Sequence, residues 1–508
     1  MKKFKTIKLY TLIALTFGMT ACDDFLTEMP STAIPEHEAM TTLADCNEVV
    51  LGIYSCFKNP ALYSGMLSLQ DIQADYVYAA LGFNNTYGEV YRWDIRSTTS
   101  YVDGIYSGLY QIASRCNFFF DYKHQVEEKL ITETDINTYT RRLGDVHFAR
   151  AIAYADLIRF YCEAYDPANA DQQLGISLAD KYVGGYHVVP RSSLKASYEF
   201  VLSDLDKAEE YLDREGADTP YFTKGAVWTL KARVYLYMHE YEKSAEYAKK
   251  VMEKTYYKLA DATSYSKVDP ETGTNLTEYD WMWRCDAGDE IIWKISMSTT
   301  DKGGSLGRAF LGYNSAAYYP DYVVGTDVID RYETNDMRYY AYFTELRTGH
   351  GYNATVLKKY RGNPYIDAGT GKYFVNMPKV LRLSEVYLIA AEANAQAGNL
   401  KEANEALNGL RAKRLKNHGN RTYDAVAIME EIKKERYCEL IMEGFRLSDL
   451  KRWKLGFQRT PQNNVLDGAN ESRLKISADR VEFTWPIPQH EIDATGGVVL
   501  PNPSNKNQ

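Results

Sequence analysis

Two stretches of the chain place small residues at matching offsets between bulky ones, and this repetition constrains the fold more than any other feature. The first carries Trp228, Ala232, Tyr235, Tyr241, Ser244 and Ala248; the second carries Tyr387, Ala391, Asn394, Gly398, Leu400, Ala403 and Leu407. These are the offsets of a tetratricopeptide repeat, two antiparallel helices whose small residues let the backbones approach. The turn between them needs a flexible position such as Gly398. No fixed period links the two stretches, so the pattern predicts a scaffold with inserted helical hairpins, not a continuous solenoid. Residues 145–161 are also apolar at helical spacing with small residues between. After a Gly-containing insertion, Pro190-Arg191-Ser192-Ser193 opens another helix over 194–212, with Ser192 or Ser193 as its N-cap.

Between 256 and 378 helical periodicity gives way to short Tyr- and Trp-rich runs broken by Gly, Pro, Asn and Asp. This texture predicts long ordered loops with a few short strands, 290–297 among them, and such loops are where ligand contacts usually sit. Residues 75–101 form a second stretch of the same kind. The chain holds 43 Tyr against 18 Phe. Tyr can bury its ring while its hydroxyl meets water or a polar ligand.

The N-terminus reads as an export signal. Lys2, Lys3, Lys5 and Lys8 precede an apolar run over 9–19, followed by Thr20-Ala21-Cys22. That run is too short to span a bilayer, which takes ~20 residues in a helix. The small pair before Cys22 looks like a bacterial lipobox, in which the thiol is acylated and becomes the mature N-terminus; several acyl chains on one residue give stable anchoring. The acids and prolines that follow form an extended tether. The formal charge of −9, more negative still without the leader lysines, makes nucleic acid a poor partner. Six further cysteines form no Cys-x-x-Cys pair and have no His at zinc-ligand spacing. Export permits disulfides, and Cys46 with Cys56 is the nearest pair in sequence.

Three motifs in the last third then point to one family. They are Leu381-Arg382-Leu383-Ser384-Glu385-Val386-Tyr387 running on to Glu392, Glu435-Arg436-Tyr437-Cys438-Glu439 running through Glu443-Gly444-Phe445-Arg446 to Trp453, and Trp485-Pro486-Ile487-Pro488-Gln489. With the lipobox they closely resemble the RagB/SusD family of outer-membrane nutrient-binding lipoproteins. Tyr106, Tyr110, Asn117 and Pro190-Arg191-Ser192 fit the family pattern too, although Tyr106 stands where Trp is commoner. The resemblance implies a mostly α, SusD-like scaffold of four tetratricopeptide-like helix pairs with long loop-rich insertions and a few short strands. It also implies a lipid anchor at the outer membrane, facing the cell exterior. The implied partner is a SusC-like TonB-dependent β-barrel transporter, which such a protein caps and supplies with glycans or sometimes peptides. On this reading the chain divides into a signal peptide (1–21), a lipidated tether (22–35), an N-terminal helical part (36–255), a loop-rich ligand-binding region (256–378) and a C-terminal helical part (379–508).

The charges in these motifs read as structural. Arg382, Glu385 and Glu392, and likewise Arg436, Glu439, Glu443 and Arg446, recur at helical spacing, so each set is expected to share one helix face and join helices through internal ion pairs. Paired carboxylates also serve glycoside hydrolysis, but acids on a charge-balanced stripe are seldom the reacting ones. No His-Glu-x-x-His, Gly-x-Ser-x-Gly or phosphate loop is present, and no cofactor is called for. Aromatic side chains remain. Tyr76, Tyr78, Phe83, Tyr87, Tyr91 and Trp93 in one loop-rich stretch, and Trp281, Trp283 and Trp293 in the other, offer flat faces for sugar rings, while Asn84, Asn85, Arg92 and Arg308 could hydrogen-bond hydroxyls. Of these, Tyr87, Tyr91, Trp93, Trp281 and Trp283 with the four polar residues form the candidate ligand site. The competing readings are the same scaffold taking peptides, an exported glycosidase, and a helical assembly factor with no small ligand.

Overall fold

The computed structural model describes residues 35–182, 187–367, 372–462 and 475–505. The signal segment, Cys22 and the tether up to residue 34 lie outside the described residues. The helices that build the scaffold are α1 (Leu43–Cys56), α2 (Tyr63–Gln73), α3 (Ser100–Tyr122), α4 (Glu133–Tyr161), α5 (Leu194–Tyr211), α6 (Lys224–Tyr237), α7 (Tyr241–Met252), α8 (Glu278–Cys285), α9 (Leu383–Gln396), α10 (Leu400–Arg411), α11 (Ala427–Glu439) and α12 (Arg446–Trp453). Hydroxyl side chains set many of their starts. Thr42, Thr132, Ser193, Thr223 and Thr277 each accept a hydrogen bond from a backbone N–H in the first turn, and Thr42 and Thr277 form reciprocal capping boxes with Asp45 and Asp280.

Helix α3 packs on α4, α4 on α5, α5 on α6, α6 on α7, α7 on α9, and α9 on α10 and α11. The stack is therefore continuous in space although interrupted in sequence, because α9 docks directly on α7 across the whole insertion. The absence of a fixed period records where the insertion leaves the stack, not a break in the packing. The two hairpins also share one turn. His239 and Gly398 both adopt left-handed φ (63° and 83°), and Glu240 and Asn399 follow at φ/ψ of −86°/68° and −85°/69°. The N–H of Glu240 donates to Tyr235 O at 2.9 Å and that of Asn399 to Asn394 O at 2.8 Å, closing each helix in the same way.

The insertion is held by short antiparallel strand pairs. Strand β1 (Val77–Ala79) pairs with β5 (Tyr322–Val324), and β2 (Ile291–Lys294) with β6 (Lys379–Arg382) immediately before α9; β3 (Tyr313–Asn314) and β4 (Ala317–Tyr318) form a small hairpin. One hydrophobic cluster runs from Met40 to Val499 and takes residues from 36–255, 256–378 and 379–508 alike. Trp485 closes it: fully buried, its indole N–H donates to Gln73 Oε1 at 2.8 Å, and the alternating prolines hold the segment extended. Cys46 and Cys56 sit at opposite ends of α1, about 15 Å apart by helix rise, and both are free and buried.

Candidate functional site

Beneath the insertion lies a dense buried ion-pair network. Arg382, at the end of β6, meets Glu290 Oε1 at 2.8 Å, Glu439 Oε1 at 2.6 Å and Glu443 Oε2 at 2.6 Å. Arg414 bridges Glu290 and Glu439 at 2.9 and 3.0 Å, and Arg338 joins Glu435 and Glu439 at 2.6 and 2.9 Å. Lys359 reaches Glu443 at 2.6 Å with its ammonium 4.0 Å from the Trp283 ring centre. Burial alone would raise the Glu439 carboxyl, but Arg414, Arg382 and Arg338 hold it well below the ordinary carboxylate range. Burial pushes the Lys359 ammonium down to about 8, against the pull of Glu443. Glu385 takes Arg233 at 2.7 Å, Glu392 takes Arg452, Arg436 takes Asp449 at 2.9 Å, and Arg446 takes Asp75 at 2.8 Å. These carboxylates are sealed and cation-bound, which suits a clamp and not a reacting acid.

Neither charged set shares one helix face: in the first, Arg382 ends β6 in extended backbone before α9 begins at Leu383, and the second is broken by a turn. Helix α11 ends at Glu439, the chain turns through left-handed Met442 (φ 57°) and Gly444 (φ 77°), and Arg446 opens α12. A Cβ on Gly444 would stand 2.9 Å from the Leu67 Cα, so the turn also needs the missing side chain. The residues recur at helical spacing but bind partners from separate elements.

The open chemistry lies on the insertion. Two adjoining clefts, of about 500 and 490 Å³, share Lys372 and Phe374 in their walls. The first is lined by Asp269, Glu271, Arg284, Tyr318, Lys358, Arg361 and Asp367 among others, the second by Lys302, Ser305, Arg308, Tyr313 and Tyr373. Tyr313 and Tyr318 meet edge to face at 5.0 Å across the β3–β4 hairpin, with the Lys372 ammonium 4.5 Å from the Tyr313 ring centre. Tyr313 and Tyr373 are 37% and 59% exposed, so ring faces are open to a ligand. The 81–93 loop is tied to this region: Asn84 N–H and Thr86 O–H each donate to the Asp321 carboxylate at 2.7 Å.

Six of the aromatics singled out by sequence have no open face: Tyr76, Tyr78 and Trp293 are each 1% exposed, and three of the candidate site are buried with them. Trp283, Trp93 and Tyr91 are only 2%, 3% and 1% exposed. Lys359, Lys379 and Arg382 cover Trp283. Trp93 donates its indole N–H to Gln73 O at 2.8 Å and packs on Phe457 and Phe483, while Arg459 lies 4.2 Å from the Tyr91 ring centre. Trp281 and Trp283 stand on α8 rather than on a loop, and Thr277 with Asp280 three residues later was the legible signal for that helix. Trp281 is half-buried beside Lys267 and is in the wall of neither cleft. Tyr87 packs edge-on against Tyr101 at 5.3 Å and lies within the electrostatic reach of Arg308. Asn84 and Asn85 are exposed beside it, and Arg92 donates to Asn85 Oδ1 at 2.6 Å. Tyr87 and Arg308 are thus brought together. Tyr313, Tyr318 and Tyr373, which line the clefts, were passed over because nothing local separates an exposed Tyr from the many buried ones.

Comparison with known proteins decides the lineage. Residues 247–504 match the model described as the SusD family, and residues 24–236 match one described as starch-binding associating with outer membrane. The chain belongs to the SusD family. Among its SusD relatives, SusD-like protein P38 of Formosa agariphila is 25% identical, over 89% of this chain and 92% of that one. A solved SusD superfamily protein from Bacteroides thetaiotaomicron VPI-5482 superposes with a TM-score of 0.76 at 22% identity, covering 91% of this chain and 100% of the other. The surface glycan-binding protein A of Bacteroides fluxus gives a TM-score of 0.68 at 19% identity over 91% and 99% of the two chains. The mostly α SusD-like fold expected from the motifs is the fold observed.

Proposed function

We propose that this SusD-family protein is a non-enzymatic lipoprotein of the outer membrane that binds oligosaccharide at the outer surface. It passes its ligand to a SusC-like TonB-dependent transporter. The observation that carries the reading is the pair of clefts walled by Tyr313, Tyr318 and Tyr373, open rings beside hydrogen-bonding side chains on the loop-rich insertion. The name of the family model matched by the N-terminal half, and the glycan-binding neighbour of like fold, support it.

The acids bordering the clefts do not favour hydrolysis. Burial would raise Asp269, but the Arg284 guanidinium at 2.8 Å reverses this and holds it low. Glu271 is bound by the same arginine, and Asp367 accepts the N–H groups of Tyr373 and Phe374 at 3.1 and 2.7 Å. A general acid needs a carboxyl kept protonated, the opposite of what Arg284 does to Asp269.

The test is calorimetric binding of a polysaccharide panel and of a peptide digest to the purified protein and to Tyr313→Ala and Tyr373→Ala. Glycan binding weakened by about tenfold in the variants is the expected result. Peptide binding alone would replace glycans as cargo, and sugar release from the panel would make the protein a hydrolase. Cys22→Ala should in turn release the protein from the membrane fraction without unfolding it; a variant that stays bound in cells lacking the transporter would remove the lipid anchor from the reading.

A further inference from the structure

The charge of the two clefts runs against the charge of the molecule. The whole chain has 59 Lys and Arg against 68 Asp and Glu, yet among the described residues six basic and three acidic side chains line the clefts. Two of the three acids are paired with a cation, while the charge of Asp367 is left unpaired and its buried Oδ1 accepts no hydrogen bond among the described residues. Asp269 and Glu271 bind Arg284, and Asp367 holds two backbone N–H groups. Asp280, whose charge also reaches Lys358 and Arg361, is spent in the capping box with Thr277.

The cations are not matched. Among the described residues, Lys302, Arg308, Lys358 and Lys372 have no carboxylate in ion-pair range, and Arg361 has only Asp269, 3.5 Å away and already taken by Arg284. Lys358 and Arg361 are moreover crowded: burial disfavours the charge of both, and Arg361 acts against Lys358 as Arg284 acts against Arg361. The buried Arg and Lys of the network beneath are, by contrast, joined to carboxylates. A surface that leaves cations facing one another beside open Tyr rings is arranged for negative charge arriving with a ligand.

We infer that the clefts select acidic oligosaccharides, sugars bearing a carboxylate or a sulfate ester, with Tyr313, Tyr318 and Tyr373 stacking the rings and Arg308, Lys358 and Arg361 receiving the anionic groups. This rests on the glycan-binding reading of the same clefts. An arginine fork presents parallel donors to either anion, while Lys358 acts as a point charge.

The experiment compares matched pairs by calorimetry: oligogalacturonates with their carboxyl-reduced counterparts, and sulfated galactan oligosaccharides with their desulfated ones. The protein is the full chain, with Arg308→Gln, Lys358→Gln and Arg361→Gln as variants whose melting is checked first. Arg308 is exposed and makes no ion pair with a described residue, so its variant separates binding from folding. In at least one pair the acidic member should bind tenfold or more tightly than its neutral partner, with affinity falling as salt rises. The variants should lose severalfold more affinity for the acidic member than for the neutral one, and the pair that responds tells carboxylate from sulfate. Equal affinity for both members of every pair, or acidic binding unchanged in all three variants, overturns the inference and leaves glycan binding standing. Failure of every member to bind overturns the inference, and the polysaccharide panel then decides whether glycan binding falls with it.

Discussion

Arg382 holds Glu439 twice: its Nη1 lies 2.6 Å from the side-chain Oε1 and its Nη2 donates to the main-chain carbonyl at 2.8 Å. Glu439 is the last residue of α11, where carbonyls lack partners within the helix. One guanidinium therefore closes a helix end, neutralises a buried carboxylate and fastens β6 to α11.

Removal of one partner should be costly. Glu439 is 0% exposed and faces three arginines, so Glu439→Ala leaves their charge uncompensated and should destabilise the fold by roughly 3–5 kcal/mol. Thermal and urea melts check this. An unchanged melting temperature would mean that solvent or rearrangement replaces the carboxylate.

Asp71 gives a pH dependence of known sign. It is fully buried, accepts the N–H groups of Gly444 and Arg446 at 3.0 Å each, and is pushed up by burial to about 7. A carboxyl raised on folding binds its proton more readily in the native state. Its penalty is thus absent below about pH 4, grows as pH rises, and is complete above about 7. Relative to the parent, Asp71→Asn should gain on the order of 4 kcal/mol between pH 4 and pH 8, at 1.36 kcal/mol per unit. Parallel urea titrations of the two proteins measure it; a difference that stays flat with pH contradicts the assignment.

Tryptophan and tyrosine variants should part company. Trp283→Ala opens a hole beneath Lys359 and Arg382 and should cost roughly 3–5 kcal/mol of stability. Tyr373→Ala, at an exposed rim, should melt within about 0.5 kcal/mol of the parent while losing glycan affinity. The reverse pattern would put the ligand on the α8 side.

The shared turn predicts opposite responses at matched positions. Gly398 has no atom within 4 Å of an added Cβ, so Gly398→Ala meets only the left-handed backbone cost of about 1–2 kcal/mol. His239 already bears that cost, partly offset by stacking on Tyr241 at 5.7 Å, and His239→Gly should be neutral or raise the melting temperature. A His239→Gly variant that melts as early as Gly398→Ala would show that the imidazole contact dominates.

The sequence alone determined the local rules and the family. Small residues at fixed offsets specified the hairpins α6–α7 and α9–α10, hydroxyl caps specified where helices start, and the ordered motifs from Leu381 to Gln489 specified the SusD family, because each depends on neighbours close along the chain. Tertiary structure decided what those residues meet. Arg436 and Arg446 recur at helical spacing, yet the turn at Met442 and Gly444 sends them to Asp449 and Asp75. Trp283 and Tyr373 are both aromatics of the insertion, yet one is roofed by Lys359 and the other stands in solvent. Burial depends on which distant segment arrives above a side chain, here β6, α9 and the chain around Lys359. That is a long-range property of packing which periodicity and composition do not encode.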